Sequence, residues 1–441
     1  VNLSPASVPK QGSSYDLAIA VSVLAAAGHF PGASLERTVY FGELGLDGAI
    51  KPVLGVLAAV VAAKRLGVPR IVVPLANLQE ASVVKGIEVL GYDHLSQVAF
   101  ELGAAVPVVP MKTQPVSAII ESQPTGCFSE VVGQEEAVFG MKLAAIGGHH
   151  LMMTGPPGAG KTMLASRLPG ILPELNEEQA IDVGSIHSLA KQSQFQYSTS
   201  PPFQAPHHTA TLATMVGGGS QQPRPGLISR AHLGVLFLDE APEFQLAVLE
   251  SLRQPLESGQ ITISRASGQA TFPAQFQLVM AANPCPCGHS SGSGKNCSCS
   301  ASSRSRYLSK LSGPLSDRVD IRLQLNPVNA SLINRTSNFE AESSEQIREQ
   351  VVMARANSSS RLADTPWKLN YQVAGSYLRR ELRLSNSVTK HLDAALDRRL
   401  VSMRGYDRCL RLAWSMADLA GRSLPNSEDL AVATFYRGVA L

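Results

Sequence analysis

Eight residues, GPPGAGKT (155–162), carry the clearest chemistry in this sequence. Gly155, Pro156, Pro157, Gly158, Ala159, Gly160, Lys161 and Thr162 fit the pattern G-x-x-x-x-G-K-[ST]. Such a loop lets backbone N–H groups wrap a phosphate, and a helix opening at Lys161 aims its N-terminal dipole at the same anion. Lys161 is placed to reach the β- and γ-phosphates of a triphosphate, and the Thr162 hydroxyl to take a Mg2+ position. Such a site needs acid at the tip of a second strand. GVLFLDE (234–240) supplies it, with Asp239 to hold Mg2+ through water and Glu240 to orient and polarise the attacking water. A third strand, FQLVMAANP, ends in Asn283, whose side chain could hold that water near the γ-phosphate. The carboxylate pair predicts ATP hydrolysis rather than binding alone.

A second cluster is made of sulfur. Of the six cysteines, Cys285, Cys287, Cys297 and Cys299 form C-x-C-x9-C-x-C. Four thiolates in two close pairs can close a tetrahedral site, and Zn2+ is its usual occupant. The spacing within each pair is tighter than the common C-x2-C ribbon, so reactive or disulfide-forming cysteines, or no role, stay open. His289 is a substitute ligand, whereas Cys127 and Cys409 read as ordinary residues. A disulfide framework would spread its cysteines along the chain, so the cluster reads as reduced and cytoplasmic.

These residues need rigid elements beneath them. LMMT before the glycine loop and VLFL before Asp239 read as buried strands, and TMLASRLPG as the helix after the loop. SGQITISRASGQATF (258–272) reads as a hairpin with Arg265 near its tip. The insert PPFQAPHHTATLATMVGGGSQQPRPG holds adjacent His207 and His208. Adjacent histidines usually diverge, so the insert is expected to be a mobile loop facing substrate or a neighbouring subunit, not a metal site. Residues 1–107 alternate small-residue helices with β-branched runs such as TVYFGEL and RIVVPL, an α/β pattern. Residues 108–127 read as a linker, 128–327 as the central domain with a cysteine-rich loop at 285–299, and 328–441 as a helical region after a Ser/Asn-rich segment.

The totals agree with several soluble domains. The chain has 441 residues, 44% of them hydrophobic and 17% charged, too long for one ordinary core. The net charge of +3 neither demands nor excludes nucleic acid. No apolar run reaches the roughly 18 residues of a membrane span, and no signal peptide is visible. The sequence opens on Val1 and reads as starting inside its first domain, with an N-terminal segment missing.

LSGPLSDRVDI and SMRGYDRCLRLAWSMADLAG, with APHHT (205–209), PRPGLISRAHLGVLFLDEAPEF (223–244), RQPLESGQITISRA (253–266) and FPAQFQLVMAANPCPCG (272–288), extend the pattern. Together these strings resemble the magnesium-chelatase-like AAA+ ATPases, most closely the bacterial ComM/YifB group, over essentially the whole chain. The resemblance implies an N-terminal Lon-protease-like α/β domain, a central AAA+ domain with a parallel sheet and a C-terminal helical lid. It makes Asn283 a sensor, Arg318 an arginine finger reaching a neighbour's γ-phosphate, and Arg404 the second sensor, with Arg408 as runner-up. A guanidinium suits both tasks because it stays charged and bonds phosphate oxygens bidentately. It further implies a homo-oligomeric ring, most readily a hexamer. That ring would be a DNA motor acting on single-stranded or branched DNA in recombination and natural transformation, with Arg265 as a DNA-contact candidate. A motor subunit of a magnesium-chelatase-like complex is the alternative.

The N-terminal strings VPKQGSSYDLAIAVSVLAA and FGELGLDGAIKPVLGVLAAVVAAKRLGVPRIVVP resemble the Lon proteolytic domain, which uses a Ser–Lys dyad. The nucleophile position falls on Ser14. The lysine position falls on Leu57, which cannot take a proton, and Lys51 and Lys64 lie off the helical face required. No peptidase activity is expected.

Overall fold

A computed structural model of the chain describes residues 13–111, 126–190, 197–219, 223–265, 268–290, 297–311, 315–327 and 341–438. Most of the expected linker, the Ser/Asn-rich segment, the tip of the expected hairpin and part of the cysteine-rich loop lie outside these residues.

The N-terminal part carries strands β1 (Thr38–Tyr40), β2 (Glu43–Leu44), β3 (Ile50–Lys51), β4 (Arg70–Pro74) and β5 (Glu88–Tyr92). A parallel sheet runs β1-β4-β5, and β2 pairs with β3 as a small antiparallel ribbon. Helices Asp16–Ala26 and Val56–Arg65 cover opposite faces: Ile71 and Val73 pack with Val56, Leu57 and Val60, while Val72 packs with Leu17 and Val21. This alternation follows from the two-residue period of a strand.

The central part is built on β6 (Leu151–Thr154), β7 (Phe203–Gln204), β10 (Val235–Leu238), β13 (Gln277–Ala282) and β14 (Ile321–Gln324). Two shorter pairs lie between them: β8 (Gly217–Gly218) with β9 (Arg224–Pro225), and β11 (Gln260–Arg265) with β12 (Gly268–Pro273). The large sheet is wholly parallel, in the order β14-β6-β13-β10-β7. Leu151, Met153, Val235, Phe237, Val279 and Ala281 face one core, and Leu236, Leu238, Leu278, Met280 and Ala282 the other. A sheet covered on both faces has near-continuous apolar strands, as LMMT, VLFL and QLVMAA are. Chain order reverses beside β6, and the loops leaving the carboxyl ends of β6, β10 and β13 therefore share one rim.

The C-terminal part is helical: Ser344–Arg361, Gly375–Arg380, Asn386–Asp397, Met403–Leu419 and Ser427–Arg437. Trp414, Leu410 and Leu412 of the fourth helix join the core beneath β6. The fold is thus mixed α/β with a parallel five-stranded sheet and a helical C-terminal region. No helix among the described residues is long and apolar enough to cross a membrane.

The insert departs from expectation. Its described residues form β7, helix Leu212–Val216 and the β8–β9 pair, with Met215 fully buried. Met215, with Ala210 and Val216 packed beside it, fixes this stretch to the core, while residues 211–214 stay exposed.

Candidate nucleotide site

Helix Lys161–Arg167 starts directly after Gly160, whose φ of +86° is a conformation that glycine adopts without strain. The turn from β6 into this helix brings the Lys161 side chain back beneath its own loop. Its ammonium donates to the carbonyls of Gly155 (2.7 Å) and Pro156 (2.9 Å) and to Asn283 Oδ1 (3.0 Å). Burial is the main force lowering the Lys161 pKa, opposed by the Asp239 and Glu240 carboxylates. A buried cation surrounded by acceptors is matched to an anion at this rim.

The Thr162 hydroxyl donates to Asp239 Oδ2 at 2.6 Å. This bond puts a hydroxyl and a carboxylate oxygen together, the hard-oxygen donor pair that Mg2+ prefers. Thr162 and Asp239 are therefore the residues that would hold that ion. Glu240 has φ +49°, and its own N–H donates to Asp239 Oδ1 at 2.9 Å. The left-handed turn at the end of β10 separates the two carboxylates, so that they need not share one partner.

Glu240 has a neighbour that sequence reasoning missed. His208 Nδ1 lies 3.5 Å from Glu240 Oε2. The rings of His207 and His208 are 4.2 Å apart, so the expectation that they diverge is corrected. A tight turn, closed by Ala210 N–H to the His207 carbonyl (2.8 Å), sets them side by side. His207 turns instead to the Thr209 hydroxyl, 2.8 Å away. The available signal was the HH pair itself, unusual beside a proline in a glycine-rich stretch.

Three family models match along the chain: subunit ChlI of Mg-chelatase over residues 1–77, magnesium chelatase subunit ChlI over 127–333, and its C-terminal part over 341–437. An uncharacterized protein of Mycobacterium tuberculosis (strain H37Rv) is 48% identical over 441 residues, covering 99% of this chain and 85% of that protein. Protein YifB of Escherichia coli K12 is 38% identical over 441 residues. Competence protein ComM of Haemophilus influenzae is 38% identical over 443 residues. The latter two alignments each cover 100% of this chain and 85% of the relative. The chain belongs to the magnesium-chelatase-like ComM/YifB family.

In this ComM/YifB-family chain the two arginines singled out above share one cavity, of about 510 Å³, lined by Arg318, Arg404, Asp317, Glu257 and Trp367 among others. None of residues 155–162, Asp239, Glu240 or Asn283 lines it. Arg318 ends a short 3-10 turn, Ser316–Arg318, and pairs with Glu257. Burial, then the nearby Arg253, Arg404 and Arg408, push its pKa down. Arg404 stands at the start of helix Met403–Leu419 with its side chain 75% exposed. Arg408, the runner-up, lines the same cavity, where it pairs with buried Asp320 and donates to the Arg318 carbonyl at 2.9 Å. Burial works to raise the Asp320 carboxyl, but Arg408 and His149 outweigh it and hold Asp320 far below the usual range.

The expected hairpin is present, with Arg265 pairing through its backbone with Gly268. The ligand atoms of Cys285, Cys287, Cys297 and Cys299 all lie within 4.8 Å of one another, and none of the six cysteines is disulfide-bonded. At the other end of the chain, Ser14 lies in the 3-10 turn Ser13–Tyr15, and Leu57 is fully buried in the core under β4.

Proposed function

We propose that this chain is an ATP-hydrolysing motor of the ComM type that works as a ring on single-stranded or branched DNA. The observation that carries the reading is the Thr162–Asp239 bond beside Lys161, Asn283 and Glu240, at one rim of the parallel sheet. Lys161 and the loop N–H groups would bind the phosphates, and Thr162 and Asp239 would hold Mg2+, which withdraws charge from the phosphate oxygens when bound. Glu240 would then orient and deprotonate a water that Asn283 holds in place. Arg318 and Arg404 line a separate cavity, which supports their being offered to the site of a neighbouring copy, and hence a ring, most readily a hexamer. The relation to competence protein ComM and the β11–β12 hairpin carrying Arg265 support DNA as substrate. We propose zinc for the four-cysteine cluster, whose all-thiol donor set suits it.

The test is ATP hydrolysis by the purified chain, with and without single-stranded and forked DNA, beside Glu240→Gln. Stimulation by DNA, lost in the variant, is the expected result. Turnover indifferent to DNA but stimulated by a chelatase partner would favour a magnesium-chelatase-like motor subunit instead. No turnover in an assembled protein would overturn the engine itself.

A further inference from the structure

The cysteine cluster is physically continuous with the nucleotide site. Its Sγ atoms are 3.3 Å (Cys285–Cys287), 3.7 Å (Cys285–Cys297) and 3.7 Å (Cys287–Cys297) apart. A tetrahedron of thiolates at about 2.3 Å from a zinc ion has edges of about 3.8 Å. The spacing is therefore near what one ion requires. Arg304 Nη1, 4.0 Å from Cys297 Sγ, places positive charge beside a cluster that would be anionic when metallated.

Both ends of the cluster return to the catalytic rim. On one side, Cys285 is two residues past Asn283, which accepts the Lys161 bond at 3.0 Å. The knuckle then turns so that Gly288 N–H reaches the Cys285 carbonyl at 2.9 Å, with Gly288 at φ +80°. There Gly288 lies flat against the phosphate loop: a Cβ on it would come within 2.7 Å of Pro157 Cδ and Cγ. On the other side, Cys299 leads through the Ser300 cap into helix Ala301–Ser309. Tyr307 of that helix is buried and hydrogen-bonds the backbone of Asn283. A metal ion bridging the two cysteine pairs would tighten a loop that leaves Asn283 along the chain, returns to it through the Tyr307 hydrogen bond and presses on Pro157.

We propose that the four-cysteine cluster is a metal-operated clamp on the nucleotide site: a bound thiophilic divalent cation holds Gly288 against Pro157 and fixes Asn283 opposite Lys161. Nucleotide affinity then depends on metal occupancy, and agents that strip or oxidise the thiols switch the ATPase off without touching its catalytic residues. This rests on the nucleotide-site reading above.

The test uses the full chain and reads zinc by elemental analysis and a fluorescent ATP analogue by direct titration. The metal-loaded protein should hold one zinc per chain. Removing zinc with a thiophilic chelator, Mg2+ being kept constant, should weaken analogue binding by about tenfold or more, and zinc added back should restore it. Cys299→Ser should lose both zinc and affinity. Gly288→Ala should keep its zinc yet bind the analogue more weakly, because its Cβ pushes Pro157 away. That separation distinguishes a clamp from a cluster that merely helps the chain fold. Equal binding with and without zinc, or a chain that takes up no metal while binding nucleotide, overturns the clamp and leaves the nucleotide site standing. A zinc-loaded chain that binds no nucleotide overturns both.

Discussion

Arg404 Nη1 lies 3.8 Å from Asp317 Oδ2, and Asp317 is the residue immediately before Arg318. Two basic residues that are 86 positions apart in the chain thus line one wall, where Glu257 neutralises one and Asp317 the other. An incoming phosphate would exchange with these carboxylates rather than meet bare charge. Arg318→Ala should lower hydrolysis by about 10³-fold while leaving nucleotide binding intact. Mixed with Glu240→Gln protein, it should regain part of the activity, since each copy supplies what the other lacks. Steady-state turnover of the mixture checks this, and an inactive mixture of co-assembled subunits counts against arginines acting between copies.

The Glu240 carboxylate is held near His208 rather than pointing freely from the strand end. Glu240→Gln should cut kcat by about 10²-fold or more with nucleotide affinity retained. His208→Ala removes only the neighbour, so it should lower kcat by about tenfold and leave KM nearly unchanged. A change confined to KM would place His208 in binding instead of in positioning Glu240.

Two buried histidines make the central sheet acid-sensitive. His150 Nδ1 accepts the Leu278 N–H, and His232 Nδ1 the Gln275 N–H, each at 3.1 Å. Burial lowers both pKa values to about 4. In the unfolded chain each titrates near about 6.5, so the unfolded state binds more protons between those limits. Stability is therefore full above pH about 6.5 and falls as pH drops toward 4, by on the order of 2 kcal/mol per histidine at pH 5. Thermal melts from pH 8 to 5 should show this loss. His232→Asn, which keeps an acceptor near the same place, should shrink it.

Leu57, onto which the Lon resemblance puts the dyad lysine, is sealed in the core with Val56 and Val60. Leu57→Lys buries an unpaired amine there and should cost about 3 kcal/mol or more, whereas Ser14→Ala should stay within about 0.5 kcal/mol. Denaturant titrations measure both. Neither variant, nor the parent chain, should hydrolyse casein.

Contiguous chemistry was legible in the sequence, and chemistry assembled by folding was not. The phosphate loop, Asp239, Glu240 and Asn283 could be read because each sits at the end of an apolar run whose length marks a strand. The cysteine quartet could be read from spacing alone. His208 beside Glu240 depends on a turn that no local pattern specifies. The meeting of Arg318 with Arg404 depends on how the helical region folds back on the sheet. Strand β7 is two residues long, and the half-buried β5 lacks a strong alternating pattern, so neither was visible before the structure. The contact of Gly288 with Pro157 spans 131 positions and rests on backbone shape, which sequence does not display.

Helix Glu177–Leu189 of the central part packs on helix Val56–Arg65 of the N-terminal part. Ile181 sits against the Leu57 core, the Gly55 N–H donates to the Ser188 carbonyl at 3.0 Å, and Lys85 pairs with Glu177 at 3.1 Å. The mechanical joint between the two parts is therefore this seam, not the linker that joins them covalently. Anything bound to the N-terminal part would sit at an offset from the phosphate loop fixed by this packing. Its effective concentration beside that loop would then be set by this seam, not by the length of a tether.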